Sequence, residues 1–177
     1  SVDIEPENVA TDSVNQKVYL VSSQQRYQVL NNLLRSEGCT SVIIFANRRD
    51  QVRRLHERLC KSGVTAGILS GEIPQAKRTR TLEQFKQGEI KVLVATDVAG
   101  RGIHVSRVSH MLIYYLPEAP EDYVHRIGRT GRAVATETSI SFASEDDAFL
   151  SPDLEPLFGT KLACSHPPKA LFIQPFA

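Results

Sequence analysis

Ser41-Val42-Ile43-Ile44-Phe45-Ala46 is the segment most informative about the fold, because from Val42 onward its apolar residues are consecutive and do not alternate with polar ones. A strand that exposes one face to water alternates apolar and polar residues, whereas a strand covered on both faces of a parallel sheet is apolar throughout. A second run of this kind is Lys91-Val92-Leu93-Val94-Ala95. Both runs are rich in β-branched residues, which favour strands. The sequence therefore predicts central strands of a parallel sheet with helices on both faces, an α/β fold.

Outward from these runs, short apolar segments alternate with segments of helical period, which predicts repeated β-α units. Residues 145–158 contain Pro152 and Pro156, so we expect only short helical turns there. We predict strands over 16–21, 41–46, 64–69, 91–95, 108–115 and 139–143, and helices capped near Ser22 or Ser23, ending near 62, over 74–87 and over 120–129.

The composition is that of an ordinary soluble domain: 177 residues, 41% hydrophobic and 23% charged, with a net charge of +1. No apolar run approaches the ~18 residues of a membrane span, and the polar start is unlike a signal peptide. We therefore expect a cytoplasmic protein that does not contact a membrane. Because the net charge is close to zero, any affinity for nucleic acid must come from a local basic surface.

The cysteines and histidines do not predict a metal site. Cys39, Cys60 and Cys164 are far apart in the chain and odd in number, which is typical of reduced thiols. His104 and His110 lack nearby cysteines, so we interpret both as ordinary histidines.

Polar residues are concentrated just after the predicted strands, where parallel sheets bind their ligands. This edge gathers hydroxyl groups, glycine amides and guanidiniums, a set suited to a polyphosphate or a nucleic-acid backbone. Its members are Asn47, Arg48 and Arg49 after one strand, Ser70, Gly71 and Glu72 after the next, and Thr96, Asp97, Gly100, Arg101 and Gly102 after a third. Gln75 and Arg78 share a face at the start of the following helix, where function and a solvated surface are equally good interpretations.

Residues 125–132, His-Arg-Ile-Gly-Arg-Thr-Gly-Arg, set three arginines at intervals of three with glycines between them. Arginine offers a planar fork of donors that fits phosphate, and glycine allows close approach of the backbone. A solvated basic helix is the alternative, but two glycines would weaken such a helix. We interpret this segment as handling phosphate.

The usual machinery for holding a nucleotide is absent from the sequence. There is no G-x-x-x-x-G-K-[ST] loop and no acidic pair after a strand to bind magnesium. Gly100-Arg101-Gly102 lacks the third glycine of a dinucleotide fingerprint. We therefore expect the arginines to act on a phosphate held mainly by another domain, as an arginine finger does.

Four segments resemble motifs of the DEAD-box ATP-dependent RNA helicases, in order and at that family's spacing. Residues 42–47 resemble the fourth motif, 75–78 the Q-x-x-R element, 95–103 the fifth motif and 125–132 the sixth. The resemblance is to the C-terminal RecA-like domain and covers nearly the whole chain. It implies a three-layer αβα domain with a mainly parallel sheet of five to six strands. It also implies an interdomain linker or arm over 1–13, the domain over 14–158 and a C-terminal extension over 159–177.

The resemblance implies that ATP with Mg²⁺ is held mainly by an N-terminal RecA-like domain, and that this chain alone is inactive. It assigns Arg129 and Arg132 to the γ-phosphate of ATP, with His125 and Arg126 coupling that site to the partner domain. The implied nucleotide contacts are Arg129, Arg132, Asp97, Gly102 and His104. The implied contacts to the RNA backbone, which ignore sequence, are Asn47, Arg48, Gly71, Gln75, Arg78, Thr96 and Gly100.

The chain departs from the common pattern of the family at three positions. His104 stands where most members have an aspartate that contacts the ribose, Arg48 replaces a threonine, and Glu72 replaces an aspartate. A histidine at this position of the fifth motif resembles the RhlB-type helicases of bacteria. That resemblance implies an endoribonuclease partner in RNA degradation. Two alternatives stay open: a non-catalytic RNA-binding or protein-binding module with the same fold, and a relative that acts on DNA.

Overall fold

The computed structural model describes residues 15–96, 103, 107–117, 135–144 and 164–173. Within these residues the chain forms seven strands, three α-helices and one 3-10 helix. In chain order they are β1 (Asn15–Leu20), α1 (Arg26–Leu34), β2 (Val42–Ala46), α2 (Arg49–Lys61), β3 (Ala66–Leu69), α3 (Gln75–Lys86), β4 (Val92–Thr96), β5 (Arg107–Ile113), β6 (Ala135–Ala143), β7 (Cys164–Ser165) and the 3-10 helix Lys169–Phe172.

The strands form a single parallel sheet in the order β3-β4-β2-β5-β6-β1-β7. The predicted α/β fold is confirmed, and each of the six predicted strands is present. The expected count of five to six strands is one too low, because the two-residue β7 pairs with β1 at Val18 and Tyr19. The helix predicted over 120–129 and the turns predicted over 145–158 lie outside the described residues.

The central strand β2 explains why its sequence is apolar throughout. Val42, Ile44 and Ala46 belong to one core cluster, which includes the inner faces of α1 and α2. Ile43 and Phe45 point to the opposite cluster, where Phe85 of α3 packs. None of these strand residues is more than 1% exposed. Helices therefore cover both faces of the sheet, with α1 and α2 on one side and α3 on the other.

The helices begin and end close to the predicted positions. Val52, Leu55 and Leu59 form the buried face of α2, as predicted. The prediction that Ser22 or Ser23 caps α1 is wrong, because the N-cap residue is Gln25 and Ser22 lies one turn earlier. The Ser22 hydroxyl instead accepts a hydrogen bond from the Gln25 backbone N–H at 3.2 Å.

Part of the C-terminal extension packs against the domain. Leu171 is 9% exposed and joins the core cluster on the α1 side. Asn32 of α1 donates hydrogen bonds to the carbonyls of Leu171 and Ile173, at 2.8 and 2.6 Å. Gln28, one turn earlier, donates to the carbonyl of Phe172 at 2.7 Å. Residues 164–173 therefore extend both the sheet and the helical layer.

Candidate nucleic-acid interface

Three neighbouring strands end at one level of the sheet. Ala46, the last residue of β2, is paired with Thr96, the last residue of β4. Leu69, which ends β3, is paired with Ala95 of β4. The register therefore brings Asn47, Ser70 and Thr96 to one edge, as the sequence predicts for the carboxyl ends of parallel strands. Thr96 and Ser70 are 7% and 6% exposed, so these residues form the floor of the edge.

Asn47 is held firmly at this edge. Its side-chain amide donates a hydrogen bond to the carbonyl of Leu116 at 2.8 Å. The side-chain oxygen of Gln51 accepts hydrogen bonds from the backbone N–H groups of Asn47 and Arg48, both at 3.0 Å. Gln51 thereby satisfies two donors that the start of α2 would otherwise leave unpaired. The loop after β2 is consequently fixed in place by its own domain.

Gly71 exposes its backbone where β3 leads into α3. A Cβ atom added at Gly71 would meet nothing within 4 Å. The turn is closed by a hydrogen bond of 3.1 Å from the Ile73 N–H to the Ser70 carbonyl. Pro74 then begins α3 as its N-cap residue. The open space over Gly71 gives a ligand room to approach the main chain closely.

Gln75 and Arg78 lie in the first turn of α3, directly after this loop. Gln75 is exposed and Arg78 is half-buried. The helix N-terminus carries partial positive charge, which favours anions near these two side chains. Gln75 and Arg78 therefore begin the helix that directly follows the open backbone at Gly71.

Arg48 forms a bidentate ion pair with Asp50. Its Nε and a terminal nitrogen lie 3.0 and 3.3 Å from the two carboxylate oxygens of Asp50. This hydrogen bonding from Arg48 lowers the pKa of Asp50 below its ordinary value. The Arg48 side chain is 64% exposed. A phosphate that binds Arg48 would therefore share this guanidinium with Asp50.

A second set of ion pairs links α2 to the loop after β3. Glu72 lies 3.5 Å from Arg49 and 3.7 Å from Arg53. Arg49 and Glu72 were expected at the edge from the sequence, whereas Arg53 and the ion pairs themselves were not. The one signal was the spacing of four between the two arginines, which puts them on the same helix face.

Arg26 fixes the chain just beyond β5. Arg26 is 7% exposed, and its guanidinium donates a hydrogen bond to the carbonyl of Tyr114. It also lies 4.8 Å from the centre of the Tyr115 ring, within the range of a cation–π interaction. Sequence reasoning missed this residue because nothing local distinguishes it from a surface arginine. Arg26 anchors the segment that leads toward residue 118.

The residues assigned to ATP lie outside the described part of the chain. These are Asp97, Gly102, His104, His125, Arg126, Arg129 and Arg132, and the expected RNA contact Gly100 lies there too. The six other expected RNA contacts are described: Asn47, Arg48, Gly71, Gln75, Arg78 and Thr96.

A cavity of about 480 Å³ lies elsewhere on the same edge of the sheet. It is lined by residues 20–25 at the end of β1, Ser144 after β6 and His166 beside β7. It contains none of the expected RNA contacts.

Within the described residues, no helix is long and apolar enough to cross a bilayer.

The helicase conserved C-terminal domain is the family whose sequence profile this chain matches, over residues 25–134. The chain belongs to this family. The match includes all four segments that resemble helicase motifs, at residues 42–47, 75–78, 95–103 and 125–132. The match supports the resemblance to the C-terminal RecA-like domain of DEAD-box RNA helicases.

Curated relatives identify the type within the family. The ATP-dependent RNA helicase RhlB of Pseudomonas aeruginosa is 58% identical to the chain over 170 residues, and RhlB of Pseudomonas syringae is 54% identical. Each alignment covers 96% of this chain and 43% of the relative. The helicase C-terminal domain is therefore of RhlB type, and the chain spans less than half the length of these relatives.

Solved structures of DEAD-box proteins share the fold. Escherichia coli SrmB, solved bound to the regulator of ribonuclease activity A, has a TM-score of 0.78 and 29% identity, covering 95% of this chain and 100% of the other. Saccharomyces cerevisiae Dbp5, solved with RNA and ADP BeF3, has a TM-score of 0.76 and 28% identity, covering 94% of this chain and 44% of Dbp5. The RecA-like architecture is thus confirmed.

Proposed function

We propose that this chain is the C-terminal half of an ATP-dependent RNA helicase. It closes on an N-terminal RecA-like domain around ATP and RNA, and this closure couples ATP hydrolysis to local unwinding of an RNA duplex. The observation that carries the proposal is the common edge formed by Asn47, Gly71 and Thr96 in a fold similar to that of Dbp5, which has been solved with RNA and ADP BeF3.

The edge suits a nucleic-acid backbone better than a base. Its groups are the open main chain at Gly71, the start of α3 and the guanidiniums of Arg48 and Arg78. Such groups fit phosphate and sugar oxygens, which are the same at every nucleotide. Aromatic side chains for stacking bases are not among the described edge residues. Binding is therefore expected to ignore RNA sequence.

The ATP site would be shared between two domains. Arg129 and Arg132 would contact the γ-phosphate, while His125 and Arg126 would couple that contact to the partner domain and to Asp97. Gly102 and His104 would lie near the nucleotide. ATP with Mg²⁺ would be held mainly by the N-terminal domain, so the isolated chain would not hydrolyse ATP.

The cellular setting is proposed from the relationship to RhlB. An endoribonuclease of an RNA-degrading complex would be the protein partner, and the cytoplasm the place of action. Copurification of the protein with such a nuclease from cells, lost when RNA is digested, would show that the two are bridged by RNA rather than in contact.

The test is an ATPase assay on a chimera that joins this chain to the N-terminal part of Pseudomonas aeruginosa RhlB. The chimera should hydrolyse ATP when RNA is added, and the isolated chain should not. Arg129→Ala should lower the rate by about 10³-fold or more, as expected for an arginine finger. Unchanged turnover in this variant would refute the proposed mechanism. Stimulation by DNA as strong as by RNA would instead favour a DNA-directed relative.

A further inference from the structure

The start of α2 carries an exposed basic surface that the expected RNA contacts do not account for. Arg49 and Arg53 lie one turn apart on one face of the helix, and both contact Glu72 across the edge of the sheet. Their side chains are 62% and 55% exposed, and that of Glu72 is 46% exposed. Two guanidiniums are thus held side by side, open to solvent, by a single carboxylate.

The position of this pair is distinct from that of Arg78. Helix α2 packs on one face of the sheet through Val52 and Leu55, whereas α3 packs on the other face through Phe85. Glu72 belongs to the same loop as Gly71, so it joins the two sides at the edge. A nucleic-acid strand crossing the edge at Gly71 therefore has Arg78 on one side and the Arg49–Arg53 pair on the other.

The charge balance of this surface favours a polyanion. The ion pairs of this surface contain twice as many arginines as carboxylates. Asp50 pairs with Arg48 and Arg54, and Glu72 pairs with Arg49 and Arg53. Exposed ion pairs of this kind contribute little to stability, so a phosphate can replace the carboxylate at little cost. Arginine also binds phosphate with two parallel hydrogen bonds, which Glu72 at 3.5 and 3.7 Å does not provide.

We propose that Arg49 and Arg53 form a second phosphate-binding site, which takes the RNA backbone beyond the nucleotides held at Gly71 and Arg78. Glu72 is a positioning residue that holds both guanidiniums toward the edge until phosphate displaces it. This inference rests on the proposed function and extends the RNA path from one face of the domain to the other.

Binding of fluorescent single-stranded oligouridylates of about 8 and 20 nucleotides to the chimera, in the presence of a non-hydrolysable ATP analogue, tests the proposal. Arg49→Gln with Arg53→Gln should weaken binding of the longer RNA at least 10-fold at low salt and the shorter RNA less. The slope of log K against log salt should become shallower by about 1.4, or ~0.7 for each lost phosphate contact. Arg49→Lys with Arg53→Lys should keep the slope and lose part of the affinity.

Glu72→Gln separates an RNA contact from a merely structural ion pair. Removing the carboxylate frees both arginines, so RNA binding should tighten by a few-fold with a steeper salt slope. If the pairs serve only to hold the loop, Glu72→Gln should weaken binding instead, and that result would overturn the proposal. Lys61→Gln with Lys86→Gln is the matched control, because it removes two charges at the far ends of α2 and α3 and should leave the slope unchanged.

Failure of this inference is distinguishable from failure of the proposed function. If Arg78→Gln weakens RNA binding but the Arg49 and Arg53 variants do not, the second site is refuted and the helicase proposal stands. If the unmodified chimera binds no RNA, both fail. If the arginine variants bind RNA normally but lose binding to an acidic protein, the surface is a protein contact and the proposal is overturned.

Discussion

The Asn47 side-chain amide donates a hydrogen bond of 2.8 Å to the carbonyl of Leu116, and so ties the end of β2 to the chain just beyond β5. Leu116 is 7% exposed, so water cannot readily replace Asn47 as its partner. Asn47 is an expected RNA contact, and the chain beyond Leu116 leads to the arginines expected at ATP. This bond therefore connects an expected RNA contact to the segment from which the chain continues toward those arginines.

Asn47→Ala should destabilise the chain by about 1–2 kcal/mol, because it leaves a largely buried carbonyl without this donor. Urea unfolding followed by circular dichroism measures the change. Asn31→Ala is a suitable control, since the Asn31 side chain makes a longer, exposed hydrogen bond of 3.3 Å to Arg35. The control should stay within about 0.5 kcal/mol. Equal losses of unfolding free energy in the two variants would contradict a stabilising role for the hydrogen bond to Leu116.

Gly71→Ala should leave stability unchanged and weaken RNA binding. A Cβ at Gly71 meets nothing within 4 Å, so only an incoming ligand would encounter the added methyl group. Gly67→Ala is the opposite case, because its Cβ would lie 2.6 Å from a methyl carbon of Thr81. That overlap should cost about 1–3 kcal/mol. Thermal unfolding and RNA titration of both variants in the chimera check this pair of expectations. Normal RNA affinity in Gly71→Ala would remove this backbone from the interface.

Arg78→Gln should weaken RNA binding uniformly across sequences, because Arg78 is expected to contact phosphate rather than a base. The salt slope for single-stranded RNA should become shallower by about 0.7. Arg80→Gln, two residues further along α3, provides the control and should leave the slope unaltered. Titrations at four or more salt concentrations measure both. A sequence-dependent loss of affinity would contradict a backbone contact.

The centre of the sheet was predictable because β2 and residues 92–95 of β4 are apolar without interruption, and burial on both faces leaves no other pattern. Strand ends were less predictable, as β3 shows. It was predicted to start at 64, but the N–H of Val64 still bonds to the carbonyl of Leu59 in α2, so the strand begins at Ala66. β7 was missed because two residues carry no periodicity. Its place is set by pairing with β1 at Val18 and Tyr19, which is a tertiary contact.

The candidate site was predictable only in part. The rule that ligands bind at the carboxyl ends of parallel strands was enough to bring Asn47, Gly71 and Thr96 together. Side-chain pairing was not predictable, because Glu72 is about twenty residues from Arg49 and their contact depends on how the loop crosses the edge. The sequence also could not show that Arg48 would bind Asp50. The pairs with Glu72 depend on tertiary geometry, and the pair between Arg48 and Asp50 depends on which rotamers two exposed neighbours adopt.

Cys39 should behave as an inert thiol until the domain unfolds. It is 2% exposed, and burial raises its pKa from 9.0 to about 11. The fold thus favours the neutral thiol, so this contribution to stability is complete below about pH 9 and is lost as the pH rises toward 11. A thiol reagent at pH 8 should modify exposed Cys60 quickly and Cys39 only in denaturant. Cys39→Ala should flatten the fall in stability between pH 9 and 11, and an unchanged fall would contradict the assignment to this group.

Leu171→Ala should destabilise the chain by about 2–3 kcal/mol, because Leu171 is the buried anchor that holds the C-terminal segment against α1. Ile173→Ala is the matched control: its side chain is 64% exposed, so its loss should change stability by less than about 0.5 kcal/mol. Asn32→Ala should lie between them, since it removes both donors to the carbonyls of Leu171 and Ile173 but no apolar packing. Urea unfolding measures the loss of stability in each of the three variants. Hydrogen exchange of the amide at position 171 reports local release of the segment, because this N–H bonds to the Pro168 carbonyl at 2.9 Å. If Leu171→Ala speeds exchange there without lowering global stability, the segment undocks independently and is an appendage of the domain rather than part of its core.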